Sequence, residues 1–125
     1  MKTVVIVDDH EAFCLRWKTF LELRYGDAVL VETFTDPLLS LGRMRADIGL
    51  LILDLEMPIM DGKKVLDFAA QRGVDRRRIV VTSARDADYL HGVFRSGECL
   101  AVINKEDAQQ QEAFLLILDS IMRKP

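Results

Sequence analysis

Ile48-Gly49-Leu50-Leu51-Ile52-Leu53-Asp54 is an apolar run that stops on a carboxylate. Its apolar residues are continuous rather than alternating, which marks a strand covered on both faces, as in a parallel sheet. Val4-Val5-Ile6-Val7 has the same character and stops on Asp8-Asp9. Outward from these two, β-branched apolar runs occupy residues 3–7, 28–33, 48–53, 78–82 and 100–103. Longer stretches with helical spacing lie between and after them.

The helical stretches carry start and stop signals. Residues 10–24 place Phe13, Trp17, Phe20 and Leu21 on one stripe that reads as core, and Gly26 closes the helix. Asp36-Pro37 reads as a cap and a first-position proline, opening a helix to about residue 45. Residues 62–72 put Val65, Leu66 and Ala69 on one face before Gly73. Residues 86–95 form a weaker pattern with Gly92 inside it, and Asp107 caps a last helix that turns Phe114, Ile117, Leu118 and Ile121 inward. Five βα units in strict order predict an α/β, doubly wound, five-stranded parallel sheet, (βα)5, with flavodoxin-like strand order 2-1-3-4-5.

Composition narrows the function classes. The chain has 125 residues, enough for one domain with a real core. A net charge of −3 argues against direct nucleic-acid binding, and Arg76-Arg77-Arg78 is too short a basic run to change that. Cys14 and Cys99 follow neither metal-ligand nor disulfide spacing and read as packed thiols in a reducing compartment. No stretch of about 18 apolar residues suggests a membrane span, and the N-terminus lacks the pattern of a secretory signal. A cytoplasmic location is expected.

Functional groups in doubly wound folds gather beyond the carboxyl ends of the strands. There the sequence places Asp8-Asp9 after strand one, Asp54 after strand three, Thr82-Ser83 after strand four, and Asn104-Lys105 after strand five. Three crowded carboxylates carry −3, Lys105 lowers that to −2, and a divalent cation would neutralise the rest. Oxygen-only donors favour Mg²⁺. Such a site suits phosphoryl transfer, with a carboxylate as nucleophile, a lysine point charge and a hydroxyl donor. His10 reads as a first-turn helix residue rather than a ligand, and His91 as exposed.

Four motifs, Val7-Asp8-Asp9-His10, Leu53-Asp54-Leu55-Glu56-Met57-Pro58-Ile59-Met60-Asp61-Gly62, Val81-Thr82-Ser83-Ala84 and Lys105, resemble the receiver domain of bacterial two-component response regulators over essentially the whole chain. That resemblance implies one receiver domain over residues 1–125 with no effector domain, a phosphoacceptor switch rather than an enzyme. Asp54 would accept a phosphoryl group from a histidine kinase or phosphotransfer protein. Asp9 and Asp54 would ligate Mg²⁺, Asp8 through water, and Glu56 through its backbone carbonyl. Thr82 and Lys105 would bind the phosphoryl group, while Pro58 and Asp61-Gly62 shape the following loop.

The pattern also departs from the family. Val102 stands three residues before the lysine, where many receivers have an aromatic, and Glu106 follows the lysine where proline is common. The latter, with the Asp-Asp-His opening, resembles the NarL/FixJ type. Glu56 and Ala84 stand where side chains tune water access to the acyl phosphate. A widened apolar arc on the last helix, with Leu115, Leu116 and Met122, suggests a homodimer or effector contact through helices 4 and 5. Two other functions compete: a degenerate receiver that only binds partners, and a haloacid dehalogenase-type phosphatase. The latter wants an aspartate where Glu56 stands and an acidic pair after the lysine.

Overall fold

The computed structural model describes residues 1–85 and 87–123. Asp86, the side chains of Ala87, Asp88 and His91, and the terminal Lys124-Pro125 lie outside the described residues. Strands β1 (Lys2–Val7), β2 (Val29–Phe34), β3 (Ile48–Asp54), β4 (Ile79–Ser83) and β5 (Ala101–Asn104) form one parallel sheet ordered β2-β1-β3-β4-β5. Helices α1 (Glu11–Tyr25), α2 (Pro37–Ser40), α3 (Gly62–Gln71), α4 (Ala87–Val93) and α5 (Ala108–Met122) connect and follow them. This is the expected flavodoxin-like architecture, with strand limits within one residue of those read from the sequence.

Side chains alternate across each strand, and the alternation sorts two cores. Val5, Val7, Leu51, Leu53 and Val81 face α3 and α4, meeting Val65, Leu66, Ala69 and Leu90. Val4, Ile6, Leu50, Ile52, Val80 and Ile103 face α1 and α5, meeting Cys14, Leu21, Phe114, Leu118 and Ile121. The central strands are therefore apolar on both sides, which explains the unbroken hydrophobic runs.

Local caps fix the helix starts. Asp36 accepts from the Leu38 N–H, Asp61 from Lys64, and Asp107 from Gln109 and Gln110. Gly26 ends α1 at φ +54°, a conformation that favours glycine, and its N–H returns to the Glu22 carbonyl.

Two expectations need correcting. The second helix is only Pro37–Ser40, followed by a 3₁₀ turn at Leu41–Arg43. Buried Ser40 turns its hydroxyl back onto the Pro37 carbonyl at 2.6 Å, Gly42 is a weak helix former, and fully buried Met44 draws the chain into the core. On α1, Cys14 and Leu21 are the buried residues, whereas Phe13, Trp17 and Phe20 are half-buried. These three rings line a groove of about 260 Å³ with Arg16, Thr82, Lys105, Gln111 and Phe114.

The loop after β3 turns back so tightly that Gly62 packs on it. A Cβ at Gly62 would stand 2.2 Å from the Asp54 carbonyl oxygen and 2.7 Å from Leu55 Cα. The Gly62 N–H also donates to the Leu55 carbonyl at 2.8 Å. Because the obstructing atoms are backbone, Gly62→Ala should destabilise the fold by about 3 kcal/mol or more, measured by urea unfolding. An alanine variant as stable as the parent would contradict this packing.

Candidate functional site

The alternation that builds the core also aims the polar groups. Asp54 continues the register of Leu50 and Ile52, and Thr82 continues that of Val80, so both lie on the side of the sheet facing α1 and α5. Asp54 and Thr82 are direct register partners on neighbouring strands. Asp8 follows Val4 and Ile6 one step past β1, and Lys105 follows Ile103 one step past β5. The Asp8 N–H bonds the Phe34 carbonyl and the Lys105 N–H bonds the Ser83 carbonyl, holding both turns to the sheet.

Lys105 reaches across the strand ends. Its Nζ donates to Asp8 Oδ2 at 2.7 Å and stands 3.3 Å from Asp54 Oδ1. Asp8 is fully buried and Asp54 is 2% exposed. Burial first, then the charge of Asp8, pushes the Asp54 carboxyl up to about 7, although Lys105 opposes the rise. Burial alone would lower Lys105, but the Asp8 hydrogen bond and the charge of Asp54 hold its ammonium above its ordinary value.

Among the described residues, three buried side-chain oxygens have no hydrogen-bond partner: Asp9 Oδ1, Asp54 Oδ2 and Thr82 Oγ1. Buried polar atoms are nearly always satisfied, so orphans gathered at the strand ends call for a ligand. Carboxylate oxygens of Asp8, Asp9 and Asp54, with a ring nitrogen of His10, lie within 4.8 Å of one another. Carboxylates dominate this donor set, and it fits Mg²⁺ better than a soft metal.

All the sequence-derived candidates, Asp8, Asp9, Asp54, Glu56, Thr82 and Lys105, meet at this one end of the sheet. Val102 does not. It pairs in register with Val81 and lies on the opposite face, beside a groove lined by Leu90, Phe94 and Cys99.

Three features escaped the sequence. His10 is the residue before α1 rather than part of its first turn, and its Nδ1 stands 3.2 Å from both Asp8 Oδ1 and Asp9 Oδ1. Glu56 donates its N–H to Asp54 Oδ1 at 3.3 Å, and its carboxylate accepts from Ser83 Oγ at 2.7 Å and the Ala84 N–H at 3.2 Å. Phe13 lies under Lys105, with Nζ 4.4 Å from the ring centroid. The adjacency of His10 to the acid pair was a signal for the first, while the other two are contacts between distant segments with no local signature.

A family model described as the response regulator receiver domain matches residues 4–122. The chain belongs to that family. No curated protein sequence matches it significantly. Among solved structures, the Vibrio cholerae chemotaxis protein CheY4 superposes with a TM-score of 0.78 at 20% identity, covering 97% of this chain and 98% of that one. The receiver domain of the Francisella response regulator 1452 gives 0.75 at 16% identity, with 98% of each chain covered. The Thermotoga maritima response regulator TrrA, solved with Mg²⁺-BeF, gives 0.73 at 20% identity over 94% of this chain and 99% of that one. At these identities the structural likeness speaks for the fold, and membership rests on the family model.

The receiver's acid cluster has a measurable cost. A carboxyl whose folded pKa lies above its unfolded value binds protons more tightly when folded, so stability falls as pH rises from about 4 through 7. Without divalent metal, Asp54→Asn should therefore stabilise the protein at pH 7–8 by about 1–3 kcal/mol, part of the gain being offset by the lost Lys105 contact. The increment should vanish near pH 4. Urea titrations of both proteins in chelator across that range would check it, and an increment independent of pH would contradict the assignment.

Proposed function

We propose that this receiver is a phosphorylation-activated signalling switch in which Asp54 takes a phosphoryl group from the phosphohistidine of a histidine kinase or phosphotransfer protein, with Mg²⁺. The observation that carries this reading is the trio of buried oxygens that make no hydrogen bond, Asp9 Oδ1, Asp54 Oδ2 and Thr82 Oγ1, gathered near a lysine already paired to two acids.

Each residue has a task that its position allows. An ionised Asp54 oxygen attacks phosphorus, an O–P bond forms as the P–N bond breaks, and the imidazole leaves with the bonding pair. Asp54 need transfer no proton if it enters ionised, so groups that favour its charged form promote the step. Lys105 sits close enough to Asp54 to meet a phosphoryl oxygen as a point charge. The Thr82 hydroxyl, on the neighbouring strand and without another partner, can donate to a second oxygen.

Asp9 and Asp54, the Glu56 backbone carbonyl, and Asp8 through water would hold the Mg²⁺. When bound, the ion supplies positive charge that offsets the crowded carboxylates and the incoming phosphoryl oxygens. Its charge also favours the ionised form of Asp54, opposing the burial that raises it.

The output surface is proposed to lie around α4, β5 and α5, serving a second copy or an effector. Leu116 is 74% exposed on α5, and Leu100 is exposed just before β5. Among the described residues no helix is long and apolar enough to cross a membrane. Both free thiols are pushed up to about 11 by burial, which suits packed cysteines of a cytoplasmic protein.

Incubation with acetyl phosphate and Mg²⁺, followed by intact mass measurement, should show one added phosphoryl group on the wild type and none on Asp54→Asn. Lys105→Met should slow its formation by on the order of 10²-fold. Absence of an adduct with any donor, a cognate phosphohistidine included, would overturn the function. An adduct that survives in Asp54→Asn would overturn the site.

A further inference from the structure

A lysine on a flexible four-carbon stem needs more than one contact to stay where chemistry requires it. Two of Lys105's contacts are the acids already described, at 2.7 Å and 3.3 Å. The third is aromatic. Phe13, on α1, brings its ring centroid to 4.4 Å from Nζ, within the range where a cation is drawn to a ring face. Only 15% of the Lys105 side chain is exposed, so this attraction is little weakened by water.

The ring is itself held. Phe13 packs at 6.2 Å against Trp17, which meets Phe114 of α5 at 5.1 Å and Phe20 at 5.5 Å. Gln111 of α5 donates from its side-chain amide to the Lys105 carbonyl, fixing the backbone below the same side chain. Both flanking helices thus constrain the lysine: α1 through a ring, and α5 through an amide. Arg16 also approaches the Phe13 ring, at 5.7 Å, but as an exposed side chain on the groove's rim.

We propose that Phe13 is a positioning residue for phosphoryl transfer: its ring face holds the Lys105 ammonium at the mouth of the acid pocket. This rests on the reading that Asp54 accepts a phosphoryl group. With the ring in place, the ammonium is confined between Asp8, Asp54 and Phe13, where an incoming phosphoryl oxygen meets it without a search through rotamers. A leucine fills much of the same space but offers no ring face, and a tyrosine preserves the face.

Full-length wild type, Phe13→Leu and Phe13→Tyr are compared by three measurements. They are the rate of adduct formation with acetyl phosphate at saturating Mg²⁺, the Mg²⁺ affinity, and the proton chemical shift of the Lys105 ε-methylene. The wild type should show that methylene shifted upfield by the ring current. Phe13→Leu should lose the shift and react about three- to tenfold more slowly, with Mg²⁺ affinity unchanged. Phe13→Tyr should keep both the shift and the rate. Phe13→Met replaces Phe13→Leu if the latter does not fold.

A leucine variant that reacts at the wild-type rate overturns the proposal. So does a tyrosine variant as slow as leucine, which would make shape rather than the ring face responsible, or a parallel fall in Mg²⁺ affinity. If the wild type itself accepts no phosphoryl group, the function falls separately, and the Lys105 shift still decides whether the ring holds the ammonium.

Discussion

The ammonium of Lys105, set between Asp8 and Asp54, is the contact on which the rest of the site depends. The strand order makes β1 and β3 neighbours, so their terminal carboxylates meet in a space from which water is largely excluded. Repulsion between buried like charges is strong there, and Lys105 is the one cation that the described residues bring within ion-pair distance of both Asp8 and Asp54. Lys105 comes from beyond β5, two strands away from β3, and its side chain must cross the end of β4 to reach them. That crossing explains why Thr82, at the end of β4, lies beside the lysine in the same groove.

Strand alternation then determines which helices can influence the site. Asp54 and Thr82 share the face of Ile52 and Val80, so the groups nearest the chemistry look toward α1 and α5. Val102 shares the face of Val81 and looks toward α4. An aromatic at position 102 could move on that far side as the strand ends rearrange, whereas valine has one short branched side chain and few alternative positions. On the near side, by contrast, Phe13, Trp17 and Phe114 form a continuous aromatic chain from Lys105 to both helices. The ring absent from β5 has a counterpart on α1, against the opposite face of the sheet.

What the sequence made legible was whatever depends on near neighbours. Unbroken apolar runs gave the strands, and the caps Asp36 and Asp107 work through hydrogen bonds to residues only two positions on. The carboxylates, the threonine and the lysine were legible because strand ends converge in this topology. The short α2 was not, since the chain leaves the helix after Ser40 and turns Met44 into the core beneath, which no local signal announces. The α1 stripe was read as core because Phe13, Trp17 and Phe20 have the right spacing, but spacing does not reveal that α5 leaves a groove beside them. Glu56 is a third case: its partners Ser83 and Ala84 are 27 and 28 residues away.

Glu56 and Lys105 together show how the pocket is braced. Lys105 ties the ends of β5 and β1 through Asp8, while Glu56 ties the turn after β3 to the turn after β4 through Ser83 and Ala84. Asp54 touches both braces, one through its 3.3 Å approach to Lys105 and the other by accepting the Glu56 N–H. Added negative charge at Asp54 therefore acts with opposite sign on the Lys105 ammonium and the Glu56 carboxylate. It draws the ammonium inward and repels the Glu56 carboxylate, which already holds the Ala84 N–H and the Ser83 hydroxyl. Those two donors belong to the residues immediately after Thr82, so Glu56 connects the acceptor's own turn to the end of β4. Asp54 is thus joined through Glu56 to the residues that follow Thr82, by a route that uses no aromatic on β5.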